Sequence, residues 1–378
     1  MKILIGADLV PTKSNILLFE SGNARELLGA ELMGLFEKAD YRIFNLEVPL
    51  SDKEQPIPKC GPNLIAPTKC IAGYQAMQVD LLTLANNHIL DQGQQGLTST
   101  VQTLEQAGIA YTGVGNTPDE AAQPFIFECN GKKIGVYACA EHEFSIVTDH
   151  SAGANPIDWL ESPDHIAELK EQCDYVIVLY HGGKEHYRYP SPDLQKVCRK
   201  LVEKGADLVV CQHSHCIGCK EKYQNGTIVY GQGNFLFDDD DSEFWQTSLL
   251  ITLDEDFKLD YIPLLKCKNK VRIAKGEQAR RILAEFELRT TEICEKEFVE
   301  TEYAAFSQRM LNGYLAVFTM KGSNIIFQVL NKLSGRKLCA TLSRRLPQSY
   351  KIALLNFVEC EAHREVLLEG LKKKADIF

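Results

Sequence analysis

The first two-thirds of the chain alternate short apolar runs with longer amphipathic stretches, and this alternation constrains the fold most strongly. The strand-like runs are MKILIGAD, YRIFNLEV, DLLTLANN, KIGVYACA, YVIVLYH, DLVVCQH and TIVYGQGNFLF. The helix-like stretches between them are ARELLGAELMGLFEKA, TSTVQTLEQAG, DHIAELKEQ and SPDLQKVCRKLVEKG. Strands that alternate with helices of this length are typical of βαβ units. We therefore predict an α/β fold with a buried, largely parallel sheet.

The pattern changes after about Leu265, where helical periodicity replaces the strand-like runs. We predict one domain over residues 1–265 and a mainly helical region over residues 266–378. The first part holds 20 basic and 38 acidic residues, a net charge of −18, and the second holds 21 and 13, a net of +8. The acidic part is unsuited to long nucleic acids and suits a cation site. The basic part could contact an anionic partner or form a solvated helical surface.

The cellular compartment is predicted from what the chain lacks. No window has the roughly 18–20 uninterrupted apolar residues that span a bilayer. The start of the chain reaches Asp8 at once and has no signal-peptide pattern. The thirteen cysteines are scattered, several of them in apolar runs, which is typical of reduced thiols. These features predict a cytoplasmic protein without a membrane span.

Polar side chains stand where most of the predicted strands end. They include Asp8, Asn45, Glu47, Asn87, His88, His181, His213, His215 and Asn234. In open α/β sheets the carboxyl ends of the strands form the ligand crevice, so these residues could converge there.

Six of these residues offer carboxylate, amide or imidazole ligands, which suit Zn, Mn or Fe. They are Asp8, Glu47, Asn87, His181, His213 and His215. Six ligands exceed a single four-coordinate site. They fit two divalent transition-metal ions about 3.5–4 Å apart that share a carboxylate and activate water.

The stretch LANNHILD, residues 84–91, has a further role in this prediction. If Asn87 binds metal, the next residue, His88, should project into the cleft. Asp91 lies three residues further on and can fix the tautomer of His88 or raise its pKa. We predict that His88 protonates a leaving group and that Asp91 orients it.

Other residues leave two interpretations open. Lys59, Lys184, Glu185 and His186 could meet an anionic substrate or could be ordinary loop residues. Asn45 could cap a turn or contact substrate, and Asn234 could orient a ligand. Cys216 and Cys219, beside the two histidines, allow a structural zinc site as an alternative. The acidic run at 238–241 is read as a solvated loop in preference to a third metal site.

Six motifs resemble those of the CapA family, which is linked to poly-γ-glutamate capsule synthesis and belongs to the calcineurin-like metallophosphoesterases. They are GADLVPT, FNLEVPL, LANNHILDQGQQGL, YHGGKEHY, GADLVVCQHSH and YGQGNFLFD, in the family's order over about residues 1–240. The resemblance implies a four-layer αββα sandwich with a binuclear metal centre.

Within that centre, the resemblance implies Asp8 and His215 on one metal. It implies Asn87, His181 and His213 on the other, Glu47 as the bridge and His88 as the acid. The chain departs from the broad superfamily at Val10, where a histidine is usual, and at Glu47, where an aspartate is usual.

The function predicted from these features is a CapA-like metal-dependent hydrolase for a phosphoester or a γ-glutamyl amide in an anionic small molecule or polymer. The rival is a metal-stabilised binding or assembly factor that holds an anionic polymer or its synthase with little turnover. A phosphodiesterase for small nucleotides is a third possibility. The sequence leaves the substrate, the metal identity and the oligomeric state open.

Overall fold

The computed structural model describes residues 1–237, 242–318, 325–359 and 363. By internal contacts the chain divides into two compact units, Met1–Val299 and Glu300–Phe378. The first unit contains all the strands of the described residues, and the second is helical wherever the structure describes regular elements.

The strands, in chain order, are β1 (Lys2–Asp8), β2 (Tyr41–Asn45), β3 (Leu81–Thr83), β4 (Ala110–Thr112), β5 (Val114–Gly115), β6 (Phe125–Cys129), β7 (Lys132–Ala140), β8 (Gly153–Ala154), β9 (Tyr175–His181), β10 (Leu208–Gln212), β11 (Lys220–Tyr223), β12 (Gly226–Tyr230), β13 (Thr247–Asp254), β14 (Leu259–Cys267) and β15 (Lys270–Ile273). The helices are α1 (Ile16–Glu20), α2 (Ala24–Glu37), α3 (Ile71–Ala76), α4 (Gly93–Ala107), α5 (Pro118–Ala121), α6 (Ser162–Gln172), α7 (Pro192–Glu203), α8 (Gly276–Glu292), α9 (Phe298–Phe318), α10 (Ile325–Leu333), α11 (Lys337–Arg344) and α12 (Gln348–Glu359). Two 3₁₀ helices span Thr68–Cys70 and Glu243–Gln246.

The strands form two large sheets and one short pair. The first sheet has the order β15-β14-β13-β1-β2-β3-β4, the second has the order β11-β12-β10-β9-β7-β6, and β5 pairs with β8. The strands β1 to β4 are parallel, as are β7, β9, β10 and β12. The outer strands pair antiparallel. The sheets are therefore mixed, since β13 to β15 follow one another through short turns and pair antiparallel. The sequence had predicted a largely parallel sheet.

The two sheets pack face to face and carry helices on their outer faces. In β1, Ile3 and Ile5 lie in the core between the sheets, whereas Leu4 points to the opposite face, in the core shared with α2, α3 and α4. In β9, Ile177 joins the central core and Val178 joins a third core with α6 and α7. This alternation follows from the period of two in a strand. The result is the predicted four-layer αββα sandwich.

Two buried amides connect the sheets just below the carboxyl ends of the central strands. The Nε2 atom of Gln232 donates to Ile5 O (3.0 Å) and Leu249 O (3.2 Å) in the first sheet. Gln212, which ends β10, donates to Gly6 O (3.2 Å). A buried amide with satisfied hydrogen bonds specifies the position of its partners. These contacts fix the strand ends of one sheet relative to the other.

The first compact unit extends past residue 265, where the sequence placed the domain boundary. Strand β14 crosses that position and pairs with β15. Ile282 and Phe286 of α8 belong to the core between the sheets. The helical region that was predicted from residue 266 begins at Gly276, and helices prevail from there wherever the structure describes the chain. None of the described helices is both long enough and apolar enough to cross a bilayer.

Candidate metal centre

The carboxyl ends of central strands from both sheets bring the six predicted ligands together. Asp8 ends β1, Glu47 follows β2, Asn87 follows β3, His181 ends β9, and His213 and His215 follow β10. All six residues are buried. Potential ligand atoms of Glu47, His181 and His213 lie within 4.8 Å of one another. The same holds for Asp8, Glu47 and His215, so the two groups share Glu47.

The first group has four ligand atoms around one point. The Nε2 atom of His181 lies 3.0 Å from His213 Nδ1 and 3.0 Å from Asn87 Oδ1. It also lies 3.3 Å from Glu47 Oε1. An imidazole nitrogen carries at most one hydrogen, so His181 Nε2 can donate to only one of these three neighbouring atoms. A cation at this point would be attracted to all four atoms.

The second group is held in place by amide side chains. Asn45 Nδ2 donates to Asp8 Oδ1 at 2.7 Å. His215 Nδ1 lies 2.9 Å from Asn234 Oδ1 and 3.7 Å from Asp8 Oδ2. A neutral His215 that donates from Nδ1 to Asn234 keeps its lone pair at Nε2, the usual arrangement of a metal-binding imidazole.

Glu47 provides the clearest test of whether a metal fits. Its side chain is fully buried, and neither carboxylate oxygen accepts a hydrogen bond within the described part of the chain. Buried charges in proteins are paired or bind metals. The charge of Glu47 faces imidazoles, and each imidazole can also serve as a metal ligand. The residues present therefore fit a divalent cation.

The pKa shifts in this cluster follow from the burial of its ionisable groups and from their closeness to one another. Burial opposes the charge of Glu47, but the facing His181 outweighs it and lowers the pKa of the carboxyl below its usual range. Burial and the nearby charge of Glu47 raise the pKa of Asp8. Burial also lowers the pKa of His213 well below its usual value, with His181 adding to the effect. Two carboxylates this close ionise together most readily when a cation lies between them.

The two histidines after β10 have unusual backbone conformations. His213 has φ 84° and His215 has φ 53°, in the left-handed region that non-glycine residues seldom adopt. Such conformations cost about 1–3 kcal/mol each and cluster at functional sites. Gly231, with φ 115°, lets the chain after β12 lie close to this segment: a Cβ there would be 2.7 Å from Ser214 Oγ.

His88 and Asp91 are in direct contact beside this cluster. His88 Nδ1 lies 2.5 Å from Asp91 Oδ2, which also accepts from Leu64 N at 2.6 Å. The ammonium of Lys59 binds the other oxygen of Asp91 and lies 3.3 Å from His88 Nδ1. The Lys59 side chain is 2% exposed and the Asp91 side chain is fully buried. Lys59 thus belongs to the site, in contact with His88 and Asp91.

Other residues around the ligands lie outside the predicted set. Glu143 accepts from Asn87 Nδ2 at 2.9 Å, which turns Asn87 Oδ1 toward His181. Ser145 Oγ donates to Asn87 O at 2.8 Å. Both follow the carboxyl end of β7, which pairs with β9, so the acidic stretch after KIGVYACA was the available signal.

The remaining predicted residues lie in different surroundings. Asn45 is fully buried between Asp8 and Asn86, and its donation to Asp8 Oδ1 is a contact that orients a ligand. Lys184 and Glu185 are exposed on the loop after β9. His186 stacks on Phe244 and accepts from Trp245 Nε1 at 2.9 Å. The acidic run at 238–241 lies outside the described residues.

The alternative structural zinc site is not assembled. Cys216 and Cys219 are buried, and neither belongs to the potential metal-holding groups found among the described residues. Burial raises the pKa of Cys216 to about 11, which disfavours the thiolate that binds zinc. All twelve cysteines of the described chain are free thiols, as predicted.

Comparison with known proteins identifies relatives with capsule-related names. The chain is 29% identical over 212 residues to the capsule biosynthesis protein CapA of Bacillus anthracis. This alignment covers 53% of this chain and 51% of that protein. It is 26% identical over 215 residues to the PGA biosynthesis protein CapA of Bacillus subtilis, and this alignment covers 54% of this chain and 55% of that protein. A "probable polyglutamine synthesis accessory protein" of Mycobacterium tuberculosis is 30% identical over 181 residues, covering 44% and 48%.

The chain spans about half the length of these curated relatives. The family model described as bacterial capsule synthesis protein PGA_cap matches residues 18–239, more than half of the chain. The matched range contains five of the six clustered ligands, all except Asp8, together with His88 and Asp91. The chain therefore belongs to the bacterial capsule synthesis protein PGA_cap family.

Proposed function

We propose that the chain is a metal-dependent hydrolase that acts on an anionic substrate related to capsule or poly-γ-glutamate synthesis. The observation that carries the proposal is Glu47, a fully buried carboxylate that accepts no hydrogen bond from the described residues and is shared by two potential metal-holding groups. Its surroundings offer only nitrogen and oxygen ligands, which suit Mn, Zn or Fe.

In this proposal Asn87, His181 and His213 would hold one ion and Asp8 and His215 would hold a second, with Glu47 available to both. Such a pair, when bound, supplies Lewis acidity that activates water and neutralises charge at a phosphoryl or acyl centre. The protein contributes the buried Asn45 and Asn234 and the exposed Glu143, which hold Asp8, His215 and Asn87 in fixed orientations.

His88 supplies the proton in this proposal. Its Nδ1 atom is engaged by Asp91, so Nε2 is the ring atom from which a proton can pass to a leaving group. A purely structural metal site requires neither His88 nor Asp91. Their presence next to Asn87 is the reason to prefer hydrolysis to metal-stabilised binding.

The substrate class follows from the chemistry of the site and from the relatives. A site that held two cations would attract an anionic group, either a phosphoester or a carboxylate next to a γ-glutamyl amide. The names of the two Bacillus relatives refer to capsule or PGA biosynthesis, which favours a poly-γ-glutamate-related substrate. The acidic charge of residues 1–265 disfavours long nucleic acids.

A second candidate is a binding or assembly factor with little turnover. The word "accessory" in the name of the Mycobacterium relative favours this candidate. A binding factor would use the same metal ligands, but it would not need His88 as a proton donor.

The two candidates are separated by His88→Ala. The hydrolase proposal predicts that this variant keeps its fold and metal but loses turnover by about 10²–10⁴-fold, the usual contribution of a general acid. The substrates are a nitrophenyl phosphomonoester, a bis-nitrophenyl phosphodiester and a γ-glutamyl nitroanilide. His150→Ala, at an exposed histidine, is the matched control and should stay active. If the wild-type protein turns over none of them with Mn, Zn, Fe or Mg, the binding factor is favoured.

A further inference from the structure

The helical unit after residue 300 has an unusual charge pattern. Residues 303–358 contain eight basic residues and no acidic residue. The basic residues are Arg309, Lys321, Lys332, Arg336, Lys337, Arg344, Arg345 and Lys351. The last stretch, 360–378, holds four basic and four acidic residues and so does not offset this charge. A segment with this composition favours an anionic partner.

Helix α10 presents its apolar side to solvent. Ile325, Ile326, Val329, Leu330 and Leu333 are all exposed, with exposed fractions from 50% to 79%. At about 100° per residue, these five positions fall within an arc of about 140°. An isolated exposed leucine is ordinary, but a helix that turns a whole apolar stripe outward marks an interaction surface.

The side of α10 that packs against the protein is the more polar one. Asn331 accepts from Cys339 N at 2.9 Å, which ties α10 to α11. Phe327 is partly buried on the same side. The orientation of α10 is therefore set by contacts within the unit.

Helix α9 repeats the pattern in its second half. Met310, Leu311, Tyr314 and Phe318 are all exposed, with fractions from 39% to 50%. Their spacing of one, three and four residues puts them on one face within an arc of about 100°. Two helices of one basic unit thus each present an apolar stripe.

We propose that this unit binds the surface of a lipid bilayer that contains anionic phospholipids. Apolar side chains on a helix with basic neighbours are the features of helices that lie in the membrane interface. Basic residues near such a surface are attracted by its negative potential. The stripe of α10 enters the interface, and Lys332 and Lys337 meet the headgroups.

Two other partners fit the observations less well. A soluble polyanion is bound through charge and gains nothing from five exposed aliphatic side chains. A second copy of this chain would bring two acid-free basic segments together, which is repulsive. The proposal concerns residues outside the range 18–239 that matches the family, and it does not depend on the proposed hydrolase activity.

The test measures sedimentation of the full chain with vesicles of phosphatidylcholine plus phosphatidylglycerol and with vesicles of phosphatidylcholine alone. We expect binding to the anionic vesicles that weakens with added salt, and much weaker binding to the neutral ones. The variant Ile326→Ser/Leu330→Ser removes apolar area without changing charge, and binding should fall by about tenfold or more. Lys332→Gln/Lys337→Gln should also weaken it, by about tenfold.

The matched control is Leu17→Ser/Leu160→Ser, which changes two leucines of the first unit that are 77% and 83% exposed. This variant should bind like wild type. Thermal unfolding checks that each variant is folded. The proposal is overturned by equal binding to both kinds of vesicle or to neither, or by a serine variant in α10 that binds like wild type. It is also overturned if light scattering shows a dimer that the same variant dissociates, or if only soluble polyglutamate binds.

Discussion

The carboxylate of Asp91 joins His88 to Lys59: His88 Nδ1 lies 2.5 Å from one oxygen, and the Lys59 ammonium contacts the other. Lys59 comes from the long loop between β2 and α3, whereas the other two residues follow β3. The contact therefore anchors this loop beside the proposed proton donor. It also makes Asp91 the shared partner of two buried groups.

The first prediction concerns the stability of this buried ion pair. Asp91→Leu leaves the Lys59 ammonium buried without its counter-charge, and we expect a loss of about 3–5 kcal/mol in the free energy of unfolding. Asp91→Leu combined with Lys59→Met should recover part of this loss, because the unpaired ammonium is removed, whereas Leu64 N and His88 Nδ1 still lack their acceptor. Urea denaturation measures both. Asp193→Ala, which breaks the exposed pair with Lys196, is the control and should change little. A double variant as unstable as the single one would contradict the pairing.

The second prediction concerns Glu143, which the sequence analysis did not select. Its contact with Asn87 Nδ2 directs Asn87 Oδ1 toward His181. We expect Glu143→Ala to weaken metal binding by about 10–100-fold, as loss of a ligand's orienting partner does. Glu143→Gln keeps an acceptor oxygen and should restore most of the affinity. Titration with a competing chelator measures the effect, and unchanged affinity in the alanine variant would remove Glu143 from the account.

The third prediction is a pH dependence of metal binding. Burial favours the neutral ring of His215, but the carboxylates of Asp8 and Glu47 outweigh it and raise the pKa of His215 to about 9. Below that pH a metal must displace the proton of His215, so this residue by itself should make the affinity rise with pH up to about 9, by roughly tenfold per unit. His213, whose pKa lies well below its usual value, is already unprotonated and adds no such dependence.

Calorimetric titration in two buffers of different protonation enthalpy measures the proton released. We expect release near neutral pH. Binding that is independent of pH between about 6 and 8, without proton release, would show that His215 does not bind the metal.

The fourth prediction concerns the contacts between the sheets. Gln232→Leu removes the two hydrogen bonds from Nε2 to Ile5 O and Leu249 O. We expect a loss of about 1–3 kcal/mol in the free energy of unfolding, because buried carbonyls lose a donor. Gln106→Leu, at an exposed glutamine of α4, is the control and should stay within about 0.5 kcal/mol. Equal stability of the two variants would contradict a role for Gln232 between the sheets.

Much of the fold could be predicted from the sequence because buried parallel strands are continuous apolar runs. YVIVLYH corresponds to all of β9, and the polar residue that ends it lies in the cluster. The antiparallel strands β13 to β15 were missed, in part because β14 and β15 are mostly half-buried and contain charged residues, so neither is a continuous apolar run. This is also why the first unit extends past residue 265.

The ligand set could be predicted because each ligand follows or ends an apolar run that forms a strand. The carboxyl ends of parallel strands meet at one edge of a sheet, so these side chains converge. Asn234, which contacts His215, was also expected to orient a ligand, but other contacts around the ligands depend on loops and could not be predicted. Glu143 and Lys59 reach the site through loop conformations that no periodicity encodes. Asn45 was identified at a strand end from the sequence. Only the structure shows that it contacts Asp8 and Asn86 and so orients a ligand.

Metal content per chain shows whether the six strand-end side chains surround metal ions. Elemental analysis of the purified wild-type protein and of His213→Ala, both checked for folding, gives the answer. The account predicts about two transition-metal ions per wild-type chain and one or none in the variant. A wild-type chain that binds no transition metal after incubation with Mn, Zn or Fe, or a variant that binds as much as wild type, would contradict it.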